Sequence, residues 1–517
     1  MRKLLMASAA VLGASGGLAV AQTTTQTANP NQGQLAAPYG AGPAANNNNN
    51  AWGTANTPSG SAAAGPLSTI YAPNVDAVPA PGTIVIRLNG RVEVDVTANF
   101  TSFDKGVNAN GTPNGYKVNP VGVASYFRLY PGFDGLAANG LRYGAAVELR
   151  ENFGGANATG NTGSAGTGGT ATGPSGNTSA ETIFVRRAFT YLATDQAGIL
   201  RLGQTDGVVG LFDNCIFYSG CWDAGVGNIN GGDPLQSAAP GGSTVNYAFL
   251  AQAGAEYGNN KIVYLSPQVF GFDFGVQYAP SMGNSLQNTG NGVGCNQAGP
   301  SCISVTSGND ATRWYNQVGV GLRYQQTFGP VDVKGYGFYE TAGKEDLTTS
   351  PYATPAQARA GTIVGGVVAS AQTLRYDNLS FYQAGLAITA ANLTLAADYI
   401  GGRVNGQLAM APVGGVNTNA EVVGLTYANG PITAGIQYVI EDSQGDARLT
   451  GVSQRHEYML DLGGAYKLAP GIQVVGEYQY ESRHQGGFDF ATGTLGTAGR
   501  TNDAKAQGFL FSTVLTW

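Results

Sequence analysis

The sequence predicts an all-β fold: a sixteen-stranded antiparallel transmembrane β-barrel with short turns at one end and long loops at the other. Two patterns predict it, namely segments that alternate between apolar and polar residues and connections that alternate between short and long. In addition, no apolar run beyond the N-terminus reaches the ~18 residues of a membrane-spanning helix. The composition agrees, because only 11% of the 517 residues are charged while 79 are Gly and 26 are Tyr. This balance disfavours a typical soluble enzyme.

The alternation is clearest at residues 84–100, which read IVIRLNGRVEVDVTANF. The even positions are apolar or small, whereas the odd positions carry the charges Arg87, Arg91, Glu93 and Asp95. A period of two predicts a strand with one apolar and one charged face. Globular strands usually have about five or six residues, so this one is long. We therefore expect its apolar face to meet lipid or a neighbouring subunit and its charged face to meet water.

Sixteen segments are predicted to be strands, centred roughly on residues 92, 127, 146, 188, 201, 264, 275, 320, 336, 384, 396, 424, 436, 461, 476 and 512. The brief connections are residues 194–198, 328–330, 390–392, 429–431 and 469–471. The long connections are rich in Gly, Asn and Ser and occupy about 101–121, 154–181, 206–260, 279–312, 341–378, 401–420, 442–454 and 482–503. Sorting loops by length between the two rims is typical of outer-membrane barrels. Closure is required as well, because an open sheet edge in lipid leaves backbone groups without hydrogen bonds.

The first 82 residues are predicted to lie outside the barrel. Residues 1–21 have the basic start, apolar stretch and Ala-Val-Ala end of a signal peptide, with cleavage expected before Gln22. An N-terminal anchor helix is the alternative. Residues 22–82 are low in complexity and predict a disordered extension, so the barrel is assigned to residues 83–517. Cleavage would change the formal net charge from -6 to -8, which argues against nucleic acid as a partner.

Four cysteines fit export to an oxidising compartment. Cys215 and Cys221 are close in sequence, as are Cys295 and Cys302. Two local bridges are the expected pairing among the three possible ones. A zinc site is the alternative, but the spacing does not match and His456 and His484 lie far away in the sequence. We expect no metal and no cofactor.

Strand parity predicts two walls of opposite charge inside the barrel. The first carries the basic residues Arg87, Arg91, Arg128, Arg142, Arg150, Arg186 and Arg201 against Glu93, Asp95 and Glu148. The second carries the acidic residues Asp273, Asp332, Glu340, Asp398, Glu441, Asp461, Glu477 and Glu481 against Arg323 and Lys334. Arg187 is predicted to point outward, at a subunit interface. Opposed walls would produce a transverse field that orients polar solutes. Charges placed only for solvation are the alternative.

Several motifs are similar to those of the general Gram-negative trimeric porin family. They are LNGRVEVDV (88–96), FVRRAFTYL (184–192), GILRLGQTDGVVG (198–210), NNKIVYLSP (259–267) and a C-terminal aromatic strand that ends in Trp517 where the family usually has Phe. The resemblance implies an outer-membrane homotrimer surrounded by lipid and lipopolysaccharide. It also implies that the barrel-assembly machinery recognises the last strand. It also implies a third loop folded inward, so that its aspartates Asp206, Asp213, Asp223 and Asp233 would narrow the pore. Gly203-Gln204 replaces the family's Gly-Arg, so one constriction cation is expected to be missing.

The predicted function is passive diffusion of ions and small hydrophilic solutes through a water-filled channel. A substrate-selective channel, for instance for sugars, is the alternative, although parity turns only Tyr336 and Phe338 inward on their strand. A structural or adhesive barrel would need an apolar interior, whereas Gln, Asn, Arg and Glu recur there. No enzyme is expected, because the two histidines lie at loop edges and no P-loop or dinucleotide fingerprint stands between a strand and a helix.

Overall fold

A computed structural model shows the protein as a closed barrel. The residues that it describes are 81–102, 121–152, 184–194, 196–205, 207–209, 260–267, 269–281, 314–344, 377–405, 410–411, 413–445, 453–469, 471–490, 494–495 and 502–517. The predicted signal peptide and all but the end of the predicted extension lie outside these ranges, as do most of the long connections. No helix in the described ranges is long and apolar enough to cross a membrane.

Sixteen strands form the barrel and two more form a small separate hairpin. The strands are β1 (Thr83–Thr101), β2 (Val121–Leu136), β3 (Arg142–Asn152), β4 (Phe184–Thr194), β5 (Gly198–Gln204), β6 (Asn260–Leu265), β7 (Phe272–Ser281), β8 (Trp314–Phe328), β9 (Val331–Lys344), β10 (Leu379–Ala390), β11 (Leu393–Arg403), β12 (Thr418–Asn429), β13 (Ile432–Ser443), β14 (Arg455–Ala469), β15 (Ile472–Gln485), β16 (Phe488–Asp489), β17 (Thr494–Leu495) and β18 (Asp503–Thr516). The hairpin consists of β16 and β17, in the connection between β15 and β18.

The order of the barrel is the order of the chain, with every pair antiparallel and β1 joined to both β2 and β18. Each predicted strand centre falls inside an observed barrel strand, so the sixteen-stranded prediction is confirmed. Two-residue turns join four of the pairs, for example Ala391 and Asn392 between β10 and β11. Both of these residues have positive φ, 50° and 68°, which is the backbone of the tight type I′ hairpin turn.

The two faces of each strand separate by polarity as the alternation predicts. On β1, Ile86 is 83% exposed and Leu88 is 62% exposed, whereas Arg91, Glu93 and Asp95 on the opposite face are buried. Other strands also expose apolar side chains on the outer face of the barrel, for example Leu386, Val423, Ile436 and Phe511. The lipid core offers backbone N–H and C=O groups no hydrogen-bond partner, so a closed ladder with an apolar exterior suits the membrane. The apolar side faces outward.

The two ends of the barrel sheet are joined at Gly90 and Trp517. Their backbones exchange hydrogen bonds, at 3.1 Å from the Gly90 nitrogen and 3.2 Å from the Trp517 nitrogen. The indole ring lies over Gly90, where an added Cβ would be 2.0 Å from its Cζ2 atom. Gly90 lies on the face of β1 that the sequence predicts to meet lipid or a neighbouring subunit, and the space beside it is filled by the chain's own C-terminal side chain.

Candidate functional site

The inner wall of the barrel is the candidate functional site, because it collects charged and amide side chains from nearly every strand. In the first wall Arg91, Arg128, Arg201, Glu93, Asp95 and Glu148 are buried on the inner face and Arg142 is half-buried. The side chains of Arg87, Arg150 and Arg186 lie outside the described part of the structure. Arg91 pairs with Glu93 two positions along β1, and the Arg201 guanidinium lies 5.4 Å from the centre of the Phe189 ring. Their role in conduction stays a prediction.

Arg187 corrects the sequence-based assignment, because it points inward. It is 3% exposed and forms an ion pair with Glu148, on the same face as Phe189 and Tyr191. Two residues earlier, Val185 is 47% exposed on the outside. The register explains the reversal: Glu148 pairs with Arg187, while the next residue, Leu149, pairs with Val185. Arg186 is therefore an extra residue in the β3–β4 ladder, a β-bulge, and it exchanges the two faces of the strand.

Among the described residues, five further inward charges were not predicted from the sequence: Asp134, Lys261, Arg455, Glu457 and Arg483, all of them buried. The last three form a cluster at the loop end of β14 and β15, where both arginines contact Glu457 at 3.5 and 3.3 Å. The Arg455 guanidinium also lies 5.5 and 5.3 Å from the centres of two aromatic rings in and next to β16. Arg455 and Glu457 lie an even number of residues before Asp461 on β14, so strand parity could have predicted that they point inward.

The carboxylates of β11 to β15 form the most consistent part of the wall. Asp398, Glu441, Asp461, Glu477 and Glu481 are all buried on the inner face. Three of them accept hydrogen bonds from glutamine amides: Gln383 to Asp398 at 2.6 Å, Gln437 to Asp461 at 2.9 Å and Gln479 to Glu477 at 2.7 Å. An amide orients a carboxylate without neutralising it, because the amide carries no charge. We call this surface, defined by the five carboxylates, the acidic wall.

Two inward cations, Arg323 and Lys334, stand among the acidic residues of β7 to β9. Arg323 donates to both oxygens of Asp273, with the shortest contact at 3.1 Å. Glu340 accepts hydrogen bonds from Gln277 at 3.1 Å and from Gln317. Lys334 is buried on the inner face, whereas Asp332 is half-buried and accepts a hydrogen bond from Thr327 at 2.5 Å. This sector therefore contributes less net negative charge than the acidic wall.

The chain turns toward the inner wall directly after β5. Val208 and Val209 are fully buried, and the backbone nitrogen of Val208 donates to the side-chain oxygen of Gln277, which belongs to the inner face of β7. This contact supports a third loop that begins inside the barrel. The predicted loop residues Asp206, Asp213, Asp223 and Asp233 lie outside the described residues, as do Cys215, Cys221, Cys295 and Cys302.

An aromatic cluster on the inner face of β9 and β10 is larger than the sequence suggested. Tyr336 and Phe338 stack at 5.8 Å between ring centres with an interplanar angle of 7°, and Phe381 approaches Phe338 edge-on at 6.4 Å. The Tyr336 hydroxyl donates to Asp398 and accepts from Gln383 at 3.2 Å. The sequence analysis did not include Phe381 in the cluster, because Phe381 lies beside Phe338 only when β9 and β10 pair. The cluster thus combines apolar faces with a carboxylate and an amide.

Comparison with known proteins identifies the family. The model of a family described as Gram-negative porin matches residues 7–486. No curated protein sequence matches significantly. Among solved structures, an anion-selective porin from Comamonas acidovorans is 13% identical, with 84% of this chain and 100% of that chain covered and a TM-score of 0.46. A loop L8 deletion mutant of OmpT from Vibrio cholerae is 12% identical, with 84% and 99% covered and a TM-score of 0.44. A mutant porin of Rh. blastica is 13% identical, with 84% and 100% covered and a TM-score of 0.41.

The family match, which spans nearly the whole chain, agrees with the closed antiparallel barrel and its polar inner wall. Porins are channels and not enzymes. The chain therefore belongs to the Gram-negative porin family and forms an outer-membrane channel for passive diffusion.

Proposed function

We propose that the channel conducts ions and small hydrophilic solutes with a weak preference for cations. The acidic wall carries this proposal, because its five buried carboxylates lie within the sector from β11 to β15 and three of them accept hydrogen bonds from neutral amides. Elsewhere on the inner wall, Arg91 on β1 pairs with Glu93, and Arg187 on β4 pairs with Glu148. These arginines are thus paired with carboxylates, whereas the acidic wall places five carboxylates within one sector of the inner face.

Screening determines how strongly the preference is expressed. The Debye length is about 8 Å at physiological salt and about 3 Å at 1 M, so only charges close to the conduction path act at high salt. The net charge of -8 expected after cleavage would attract cations to the channel mouths mainly at low salt. We therefore expect a cation preference that fades as the salt concentration rises.

Planar-bilayer conductance under a salt gradient tests this proposal. The unmodified channel should give a reversal potential of the sign expected for cations. Glu477→Gln removes one charge from the acidic wall and should move the potential toward zero. Glu421→Gln removes the same charge from the exposed outer side of β12 and should leave it unchanged. Clear anion preference in the unmodified channel, or equal effects of the two variants, would show that the acidic wall does not set selectivity.

A substrate-selective channel is the second candidate, and the aromatic cluster favours it. Aromatic faces beside a carboxylate and an amide suit a solute with one apolar face and several hydroxyls, such as a sugar. Such a channel would show saturable block of the ion current by the solute, and Phe381→Ala would relieve that block. If the added solute lowers the ion current only in proportion to the viscosity of the solution, the solute does not bind in the channel, and passive diffusion alone describes its transport.

We further infer a homotrimer in contact with outer-membrane lipid and lipopolysaccharide, exported through the signal peptide at residues 1–21 and inserted by the barrel-assembly machinery. The family resemblance supports this assembly, and the C-terminal strand β18 pairs with both β1 and β15. In the bilayer experiment the trimer predicts channels that close in three equal steps. A single closing step for every insertion would contradict it.

The disulfides give a separate prediction. Local bridges Cys215–Cys221 and Cys295–Cys302 would each close a short loop and contribute about 2–3 kcal/mol at most, because the entropy removed from the unfolded chain grows with loop length. Peptide mapping without reduction should find each pair within one fragment. A fragment that links the connection after β5 to the connection after β7 would show the other pairing.

A further inference from the structure

The only two histidines of the chain lie directly opposite each other on adjacent strands. His456 on β14 is the register partner of His484 on β15. Side chains at directly opposed positions of an antiparallel pair have Cβ atoms about 4.5–5.5 Å apart. Two imidazole nitrogens bound to one zinc ion at about 2.0–2.1 Å stand about 3.3 Å apart, so rings on such a pair can reach a common ion.

Each histidine is held by an aspartate on its other side. Asp442 on β13 contacts Nδ1 of His456, and Asp503 on β18 contacts Nδ1 of His484 at 2.8 Å. The four residues are successive register partners, so they form one row, Asp442–His456–His484–Asp503, across four strands. We call these four residues the His–Asp row.

The hydrogen bonds define which nitrogen is free to bind a ligand. An ionised carboxylate can only accept, so each Nδ1 carries the proton and donates it to the aspartate. Nε2 of the neutral ring then keeps its lone pair. Histidine ligands of metal ions commonly have this arrangement, in which a carboxylate fixes the tautomer and the ring orientation and raises the basicity of the other nitrogen.

The His–Asp row is accessible on the outer side of the barrel. The two histidine side chains are 58% and 51% exposed, while the neighbouring residues Arg455 and Arg483 point inward and are fully buried. Two positions along β14, Tyr458 belongs to an outward row of tyrosines with Tyr438 and Tyr480, at ring distances of 6.3 and 6.0 Å. Tyrosines concentrate at membrane interfaces, so the His–Asp row lies at the loop side of the lipid-facing surface.

We propose that His456 and His484 bind one divalent transition-metal ion, such as Zn²⁺ or Cu²⁺, through their Nε2 atoms, with Asp442 and Asp503 positioning the rings. No group of three or more His, Cys, Asp or Glu side chains that could hold a metal ion occurs in the described part of the chain. The proposed site therefore has two imidazole ligands, and water would take the other coordination positions of a bound ion. A bound ion would link β14 to β15 at their loop ends, on the outside of the channel.

The test uses untagged, purified protein, since its two histidines are then the only ones present. Titration calorimetry with Zn²⁺ should show one ion per chain, and the electron paramagnetic resonance spectrum with one equivalent of Cu²⁺ should show two nitrogen ligands. His456→Ala and His484→Ala should each weaken binding more than 100-fold and leave a spectrum with at most one nitrogen. Both side chains are exposed, so conductance in bilayers should be unchanged and reports that the barrel is intact.

Two aspartate variants distinguish a preorganised metal site from nonspecific metal binding by exposed histidines. Asp442→Asn and Asp503→Asn keep the side-chain size but remove the charge that orients each ring, and each should weaken Zn²⁺ binding about 10–100-fold. Glu421→Gln, an exposed carboxylate on β12, is the matched control and should have no effect. A one-nitrogen Cu²⁺ spectrum in the unmodified protein, or Zn²⁺ binding that survives both histidine substitutions, would overturn the proposal.

Discussion

Replacing Arg187 by methionine is expected to cost the barrel about 3–5 kcal/mol of unfolding free energy, because it removes a cation that pairs with the buried carboxylate of Glu148. Removing one member of a buried pair leaves the other charge in a poorly solvated place. Replacing both members by neutral groups of similar volume avoids this penalty. The double variant Glu148→Gln/Arg187→Met should therefore be much more stable than the single variant Arg187→Met.

Urea unfolding of the refolded protein in detergent, followed for all four members of this double-mutant cycle, measures the coupling. A coupling of more than about 1 kcal/mol is expected for side chains in direct contact. Arg187→Lys is a useful control, since it keeps the charge but loses the planar guanidinium. Additive effects of the two substitutions would mean that Arg187 does not face Glu148 and would restore the outward assignment.

Substituting Gly90 by alanine should weaken the closure of the barrel by about 1–3 kcal/mol, the usual cost of overpacking. The new methyl group would lie 2.0 Å from Cζ2 and 2.4 Å from Cε2 of Trp517, so the indole ring must leave its place. Unfolding in urea and the temperature at which the folded band is lost on gels both report this change. Gly476→Ala is the matched control, because a methyl group there meets nothing within 4 Å.

A second substitution distinguishes a local clash from a general loss of strand flexibility. The contacts at Gly90 are made by the six-membered ring of the indole, which extends further than a phenyl ring. Gly90→Ala/Trp517→Phe should accordingly recover part of the lost stability. If Gly90→Ala is as stable as the unmodified protein, or if Trp517→Phe gives no recovery, the ring does not pack on Gly90 as described.

The channel interior shows where strand parity is reliable and where it fails. Parity placed Arg91, Glu93 and Asp95 correctly, because β1 pairs with β2 without interruption. It failed at Arg187, since Arg186 is an extra residue in the ladder with β3. Whether a strand carries a bulge depends on the partner strand, and the residues of β4 alone do not contain that information.

The sequence by itself determined the number of strands, the short turns and the polarity of most strand faces. These features are local: a period of two defines a strand and its faces, and Gly, Asn and Pro define the turns. The tertiary structure decided which residues meet across strands, such as Trp517 on Gly90, Phe381 in the aromatic cluster and His456 beside His484. The reason is physical, because neighbours in a barrel are set by register, and register is fixed only when two strands that are distant in sequence pair.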